Sequence, residues 1–236
     1  MKNPYGLKDG TIVFVSDVPS GLDCECVCPA CGHPLEARKG EINQHHFAHY
    51  RGSDCGVGYE TALHIMSKEI LEEKMQLYLP RLVVLADKAL WKPGTPAKVL
   101  EIIPAGTTLR FDEVSLEQMV GGIIPDVVLR KGDRRLLAEI TVTHGIDSTK
   151  LARIKELNIS TVEFDFRRLN RLVTRDDLKR ELLFNMSGFA RWAFHTGAHE
   201  AQERANQEYI VASRPPPPLP PPLRRYPGGQ KPLFGE

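Results

Sequence analysis

The sequence predicts an α/β fold, and three observations carry that expectation. Two apolar, β-branched runs flank Lys131-Gly132-Asp133-Arg134 and read as a β-hairpin, because Gly followed by Asp suits a type II′ turn. A stretch of helical composition, Asp147 to Leu157, follows the hairpin. Ser160 to Phe166 then returns to strand character, so the order strand, hairpin, helix, strand calls for a right-handed crossover within one sheet.

Composition sets the limits. The chain has 236 residues, 42% of them hydrophobic, enough for a substantial core. Its formal charge of +1 leaves no global field to draw a polyanion, so any nucleic-acid contact must be a local patch. No apolar run approaches the roughly 20 residues of a membrane span, and MKNPYGLKDG lacks the apolar centre of a signal peptide. A cytoplasmic protein without a membrane partner is expected. The five cysteines agree, since four crowd between Cys24 and Cys31 and the fifth is Cys55, a grouping that suits a metal better than disulfides.

In chain order, Thr11 to Val15 reads as a short strand. Cys28-Pro-Ala-Cys31-Gly is a tight turn presenting two thiolates to one ion, a zinc-knuckle signature. Two more ligands come from His46, His49 and Cys55. The interval from Cys31 to His46 falls in the roughly 12–15 residues of a Cys2His2 site, which favours His46 with His49 and holds Cys55 in reserve. Cys24 and Cys26 alternate as on a strand and are set aside as ligands.

Tyr59 to Leu79 has the composition of a long helix ended by Pro80, with Glu60, His64 and Lys68 in one polar stripe. Such a stripe is either a solvated charge face or one edge of a site. Arg81 to Asp87 and Ala97 to Pro104 look like strands of one mixed sheet. Arg175 to Ala212 reads as helical, with Gly188 and Gly197 as candidate breaks. Pro215 to Pro222 and the following Leu-Arg-Arg-Tyr form a polyproline II tail, either a spacer or a ligand for a protein partner.

The hairpin turn pairs Asp126 with Glu139, roughly 5 Å apart at Cβ, and puts Thr141 on the same face. Opposed acids repel unless a cation separates them, which points to a divalent metal. A register slipped by one residue would instead send one acid to water.

Together, Cys28-Pro-Ala-Cys31-Gly, His46-Phe-Ala-His49, the stripe Glu60, His64 and Lys68, Pro125-Asp126 and Glu139-Ile-Thr141 resemble, in this order, the competence-protein CoiA-like family. The resemblance runs from about Cys28 to Phe166. It implies a zinc-binding N-terminal module and a PD-(D/E)XK, restriction-endonuclease-like core that hydrolyses phosphodiester bonds, in DNA for a competence or DNA-processing role. It implies a structural Zn2+ and a catalytic Mg2+ or Mn2+, the latter on Asp126, Glu139 and Glu60, with His64 as a further candidate ligand. Thr141 departs from the lysine of the motif, and Lys68, ahead of Lys150, is the expected replacement cation. The alternative is a catalytically weak zinc-containing DNA-binding or DNA-processing accessory protein. The expected divisions are 1–57 for the zinc module, 58–170 for the nuclease-like core, 171–212 for C-terminal helices and 213–236 for a disordered tail.

Overall fold

A computed structural model describes residues 2–52, 54–103 and 105–214; the proline run beginning at Pro215 lies outside the described residues. The N-terminal hairpin pairs β1 (Tyr5–Lys8) with β2 (Thr11–Phe14). Its two-residue turn, Asp9-Gly10, has positive φ at both positions, the type I′ geometry that matches strand twist. A second hairpin joins β3 (Leu35–Arg38) to β4 (His46–His49). Both hairpins close on a small core of Val15, Val18, Cys24, Cys26, Leu35, Ala37 and Phe47.

Helix α1 (Gly58–Lys74) buries Leu63, Met66, Ile70 and Leu71 completely or nearly so. Truncating one such leucine to alanine costs about 2–5 kcal/mol through lost transfer energy and the cavity left behind. The helix stops at Lys74 rather than running to Leu79. Met75 takes a left-handed conformation, its N–H closing on the Leu71 carbonyl, and Gln76–Leu79 becomes β5. A strand partner downstream outweighs helical composition here. After β6 (Leu82–Leu85) and β7 (Val99–Ile103) comes β8 (Thr107–Arg110), which pairs with β5. Among the described residues β6 and β7 pair only with each other and stay out of the main sheet, contrary to the expectation of one mixed sheet.

The main sheet is built from β9 (Glu113–Leu116), β10 (Val127–Lys131), β11 (Arg134–Thr141), β12 (Thr161–Asp165) and β13 (Ala190–Phe194), in the order β13-β12-β11-β10-β9. The β10–β11 register runs from Lys131 opposite Arg134 to Val127 opposite Ala138, and Asp126, just before β10, takes the Ile140 N–H with its carboxylate. Gly132 has φ +55° and Asp133 does not share the positive sign, as a type II′ turn requires. β11 and β12 are parallel, connected through α2 (Ser148–Glu156), whose N-cap Asp147 accepts from the N–H groups of Thr149 and Lys150.

One face of the sheet, with Val127, Ala138, Ile140, Val162 and Phe164, packs on α1 and on α3 (Arg175–Phe184). Tyr5 and Ile12 of the first hairpin enter the same core, and the Tyr5 hydroxyl donates to the Val173 carbonyl at 2.6 Å. The other face, with Val128 and Leu137, meets Ile154 of α2. The segment 171–212 is not helical throughout. Asn185 and Gly188, both at positive φ, end α3 and turn the chain into β13, which covers the edge of β12. Helix α4 (Ala198–Ala212) then packs on β6 and β7 through Ala205 and Tyr209. Among the described residues, no helix is long and apolar enough to cross a membrane.

Candidate functional site

Two centres of chemistry emerge. The first is built by the Cys28–Cys31 turn, the end of β4 and the segment leading into α1. The Gly32 N–H donates to the Cys28 carbonyl and the Cys28 N–H to the His33 carbonyl, which closes the turn and brings Cys28 and Cys31 to one side. His49, at the end of β4, reaches Cys31 Sγ with Nε2 at 3.2 Å, and Cys28 and Cys55 have their sulfurs 3.6 Å apart. The donor atoms of Cys28, Cys31, His49 and Cys55 all lie within 4.8 Å of one another. Ligands about 2.3 Å from a tetrahedral zinc stand roughly 3.8 Å apart, so these four residues are able to hold one zinc ion.

The surroundings suit that role. His49 Nδ1 lies 3.7 Å from Asp54 Oδ1, the kind of outer carboxylate that orients a metal-bound imidazole. The Gly56 N–H holds the Asp54 carboxyl below its ordinary range. Burial pushes the Cys28 thiol up to about 11. Burial would raise Cys55 as well, but the Val57 N–H, the Cys28 and Cys31 thiols and the Gly58 N–H bring it below the usual thiol value. A Cβ on Gly58 would stand 3.1 Å from Cys28 Sγ and 3.0 Å from Asn3 Nδ2, so the helix start packs tightly against the Cys28 thiol.

His46 lies outside the cluster. On a strand, residues three apart point to opposite faces, so β4 cannot aim both His46 and His49 at one ion. His46 faces away instead, with Nδ1 2.9 Å from the Gln44 carbonyl oxygen. The fourth donor is Cys55. Cys24 and Cys26 are buried and spend their thiols on the carbonyls of Leu35 and Cys24.

The second centre is a row of acids across the main sheet. Asp126, at the entry to β10, accepts the Ile140 N–H at 2.7 Å and lies 3.5 Å from His64 Nδ1. Burial opposes ionisation of Asp126, yet the contact with His64 and the Ile140 N–H hold its carboxyl below the usual range. Glu139 is 5% exposed; Lys150, from the first turn of α2, reaches its Oε2 at 2.7 Å, and its Oε1 is buried without a partner. Burial drives the Glu139 carboxyl up to about 7; Lys150 pulls it down, and Asp126 and Glu163 push it further up.

Glu163 is the residue that sequence reasoning missed. It stands beside Glu139 in the parallel register and is 3% exposed. Its Oε1 accepts the Thr141 hydroxyl at 2.7 Å, and its Oε2 meets Arg191 of β13 at 2.7 Å. Gly145 passes close enough that a Cβ there would lie 3.3 Å from Glu163 Oε1. The signal lay in Thr161-Val-Glu-Phe-Asp, an acid set among apolar strand residues, but only the register decides which acids it joins.

The remaining candidates fall into place around this row. Glu60 accepts from the Thr143 hydroxyl at 2.7 Å and lies 4.0 Å from His64 Nε2, so it borders the row through His64 rather than touching Asp126 or Glu139. Lys68 turns to Glu117 at 2.6 Å. Lys150, not Lys68, is therefore the lysine brought to Glu139, because the two-turn reach along α1 ends at the β9 side of the row. Among the described residues only the thiol cluster gathers three or more such donors within 4.8 Å; the acids stand more openly.

The first centre defines a Cys3His site of the kind that holds structural zinc. The family model of the competence protein CoiA N-terminal domain matches residues 23–58, a span that contains all four donors. No curated protein and no solved structure matches the chain.

Proposed function

We propose that this chain is a metal-dependent nuclease that hydrolyses phosphodiester bonds in DNA, with a core of the PD-(D/E)XK kind and a zinc site that braces the N-terminal hairpins against α1. The observation that carries the reading is the nearness of Asp126, at the entry to β10, to Glu139 on β11, with a buried, unpartnered Glu139 oxygen and a lysine 2.7 Å from the other. Within the main sheet, three antiparallel strands, β9 to β11, then α2 and the parallel strand β12, with α1 preceding them and β5 to β8 inserted between, support the same fold. The match over residues 23–58 supports a competence-related setting.

The donor set suits Mg2+ or Mn2+, hard cations that take carboxylate oxygens and keep several waters, so an open row of acids is enough. When bound there, such an ion would polarise the phosphate and favour a hydroxide nucleophile near neutral pH. The chain's own residues do the rest. Asp126 and Glu139 supply the anchoring oxygens, and His64 and the Ile140 N–H fix the Asp126 carboxylate. Lys150 stands in for the motif lysine that Thr141 replaces, offering positive charge where negative charge grows on the phosphate. Thr141 acts indirectly, since its hydroxyl is committed to Glu163. Glu60 buttresses His64 and the loop at Thr143.

A second reading, an accessory DNA-binding protein of little catalytic power, is favoured by one feature: Lys150 already neutralises Glu139 and Asp126 already has His64. Incubation of labelled single- and double-stranded DNA with Mg2+ or Mn2+ separates the two. The nuclease reading expects cleavage by wild type and none by Asp126→Ala or Glu139→Ala. DNA binding without cleavage under either ion gives the protein to the accessory reading.

A further inference from the structure

Next to the acid row, on the β13 side, lies a cleft lined by Asp165, Arg167, Arg168, Ser187, Phe189 and Arg191. We infer that this cleft binds the phosphodiester backbone of a nucleic-acid strand and leads it across the sheet to Glu139. The inference rests on the nuclease reading for its direction but not for its binding chemistry.

The arginines are held in a particular way. Arg191 places Nε and Nη2 on Glu163 Oε2, at 3.0 and 2.7 Å, while its side chain remains 56% exposed. Arg167 grips Asp165 with the same two nitrogens and is likewise half exposed. A guanidinium has five N–H donors in a rigid plane, so one edge bound to a carboxylate leaves the other donors oriented and unused. That arrangement lowers the entropy cost of seating an anion. Arg168, in the turn after β12, is exposed and has no ion pair or hydrogen bond with any described residue. Three guanidinium groups therefore face the cleft against two carboxylates, Asp165 on its lining and Glu163 behind Arg191, which leaves the charge of Arg168 unmatched.

The rest of the cleft suits a strand as opposed to a lone ion. Gly188, at φ +76°, has open space where a side chain would begin, which gives a backbone room to pass. Phe189 is half-buried, packed edge-on against Phe166 at 5.6 Å, and offers a ring for an unpaired base. The register places Arg191 beside Glu163 and Glu163 beside Glu139, so cleft and acids lie about two strand spacings apart, roughly 10 Å. A strand seated on Arg191 thus continues directly onto the row.

The test uses the full chain with its zinc, without added Mg2+ or Mn2+, and fluorescein-labelled 12-nucleotide single strands of DNA and of RNA, read by anisotropy. Arg168→Ala should raise the dissociation constant about tenfold and lower the salt slope by roughly 0.7, since one phosphate fewer is neutralised. Arg204→Ala, an equal loss of charge on exposed α4, should change neither. A stronger effect on the RNA strand or on the DNA strand identifies which backbone the cleft takes. The inference is overturned if wild type binds neither strand, if Arg168→Ala binds as wild type does, if Arg204→Ala weakens binding equally, or if polyglutamate competes as well as nucleic acid. Binding that depends on Arg168 without cleavage under Mg2+ or Mn2+ leaves the cleft standing and removes the nuclease reading. Cleavage that depends on Asp126 with binding indifferent to Arg168 does the reverse.

Discussion

Glu139→Gln reports directly on the acid row. Burial and the neighbouring carboxylates raise Glu139 from 4.5 to about 7, against the pull of Lys150. Below about pH 4.5 the carboxyl is protonated in both folded and unfolded chains and contributes nothing to the pH dependence. Between pH 4.5 and 7 the folded protein keeps a proton that the unfolded chain releases, so stability falls as pH rises; above 7 the full deficit is present. The interval from 4.5 to about 7, at about 1.4 kcal/mol per tenfold, gives a deficit of about 3 kcal/mol. For a domain of this size that is roughly 6–12 °C in melting temperature. Thermal melts of wild type and Glu139→Gln, with zinc bound and without added Mg2+ or Mn2+, should therefore diverge between pH 4.5 and 8, wild type losing that much more. Protonation elsewhere affects both proteins and cancels in the difference. Lys150→Met should move the divergence to higher pH, since it removes the cation that lowers Glu139. Addition of Mg2+ at pH 8 should restore part of the loss in wild type only. Parallel melting curves for wild type and Glu139→Gln would refute the reasoning.

The zinc site should survive His46→Ala with one zinc per chain by elemental analysis, whereas His49→Ala and Cys55→Ser should lose the metal and lower the melting temperature of the N-terminal hairpins. Single-turnover cleavage of labelled DNA should slow roughly 10²–10³-fold in Lys150→Ala and little in Lys68→Ala, which is paired with Glu117; equal slowing of both would reject the assignment. Thr141→Val keeps the shape but leaves Glu163 Oε1 short of its donor, so denaturant unfolding should show a loss of about 1–3 kcal/mol. Deletion of residues 215–236 should leave solubility and any activity intact, because a proline run has no backbone donors with which to join the fold; loss of either would show that the tail docks.

Local chemistry made much of this protein legible in its sequence. Gly132-Asp133 determined the hairpin turn, and with it the register from Lys131 opposite Arg134 to Val127 opposite Ala138, because only a residue tolerant of positive φ opens a type II′ turn. Asp147 marked the start of α2, and Cys28 and Cys31 marked a metal turn, for equally local reasons. Tertiary structure decided whatever depended on which strand lies beside which. Strand pairing converted Gln76–Leu79 and Ala190–Phe194 from helical composition to β5 and β13, since an unpaired edge costs more than a modest propensity returns. The parallel register of β11 and β12 brought Glu163 beside Glu139 from 24 residues downstream, a distance along the chain that no periodicity spans. It also selected Lys150 over Lys68, because the start of α2 lies over Glu139 while the stripe on α1 ends at Glu117. At the thiol cluster the strand itself chose between the histidines: alternation along β4 turns His49 toward the thiols and His46 away, and the entry into α1 supplies Cys55 in its place.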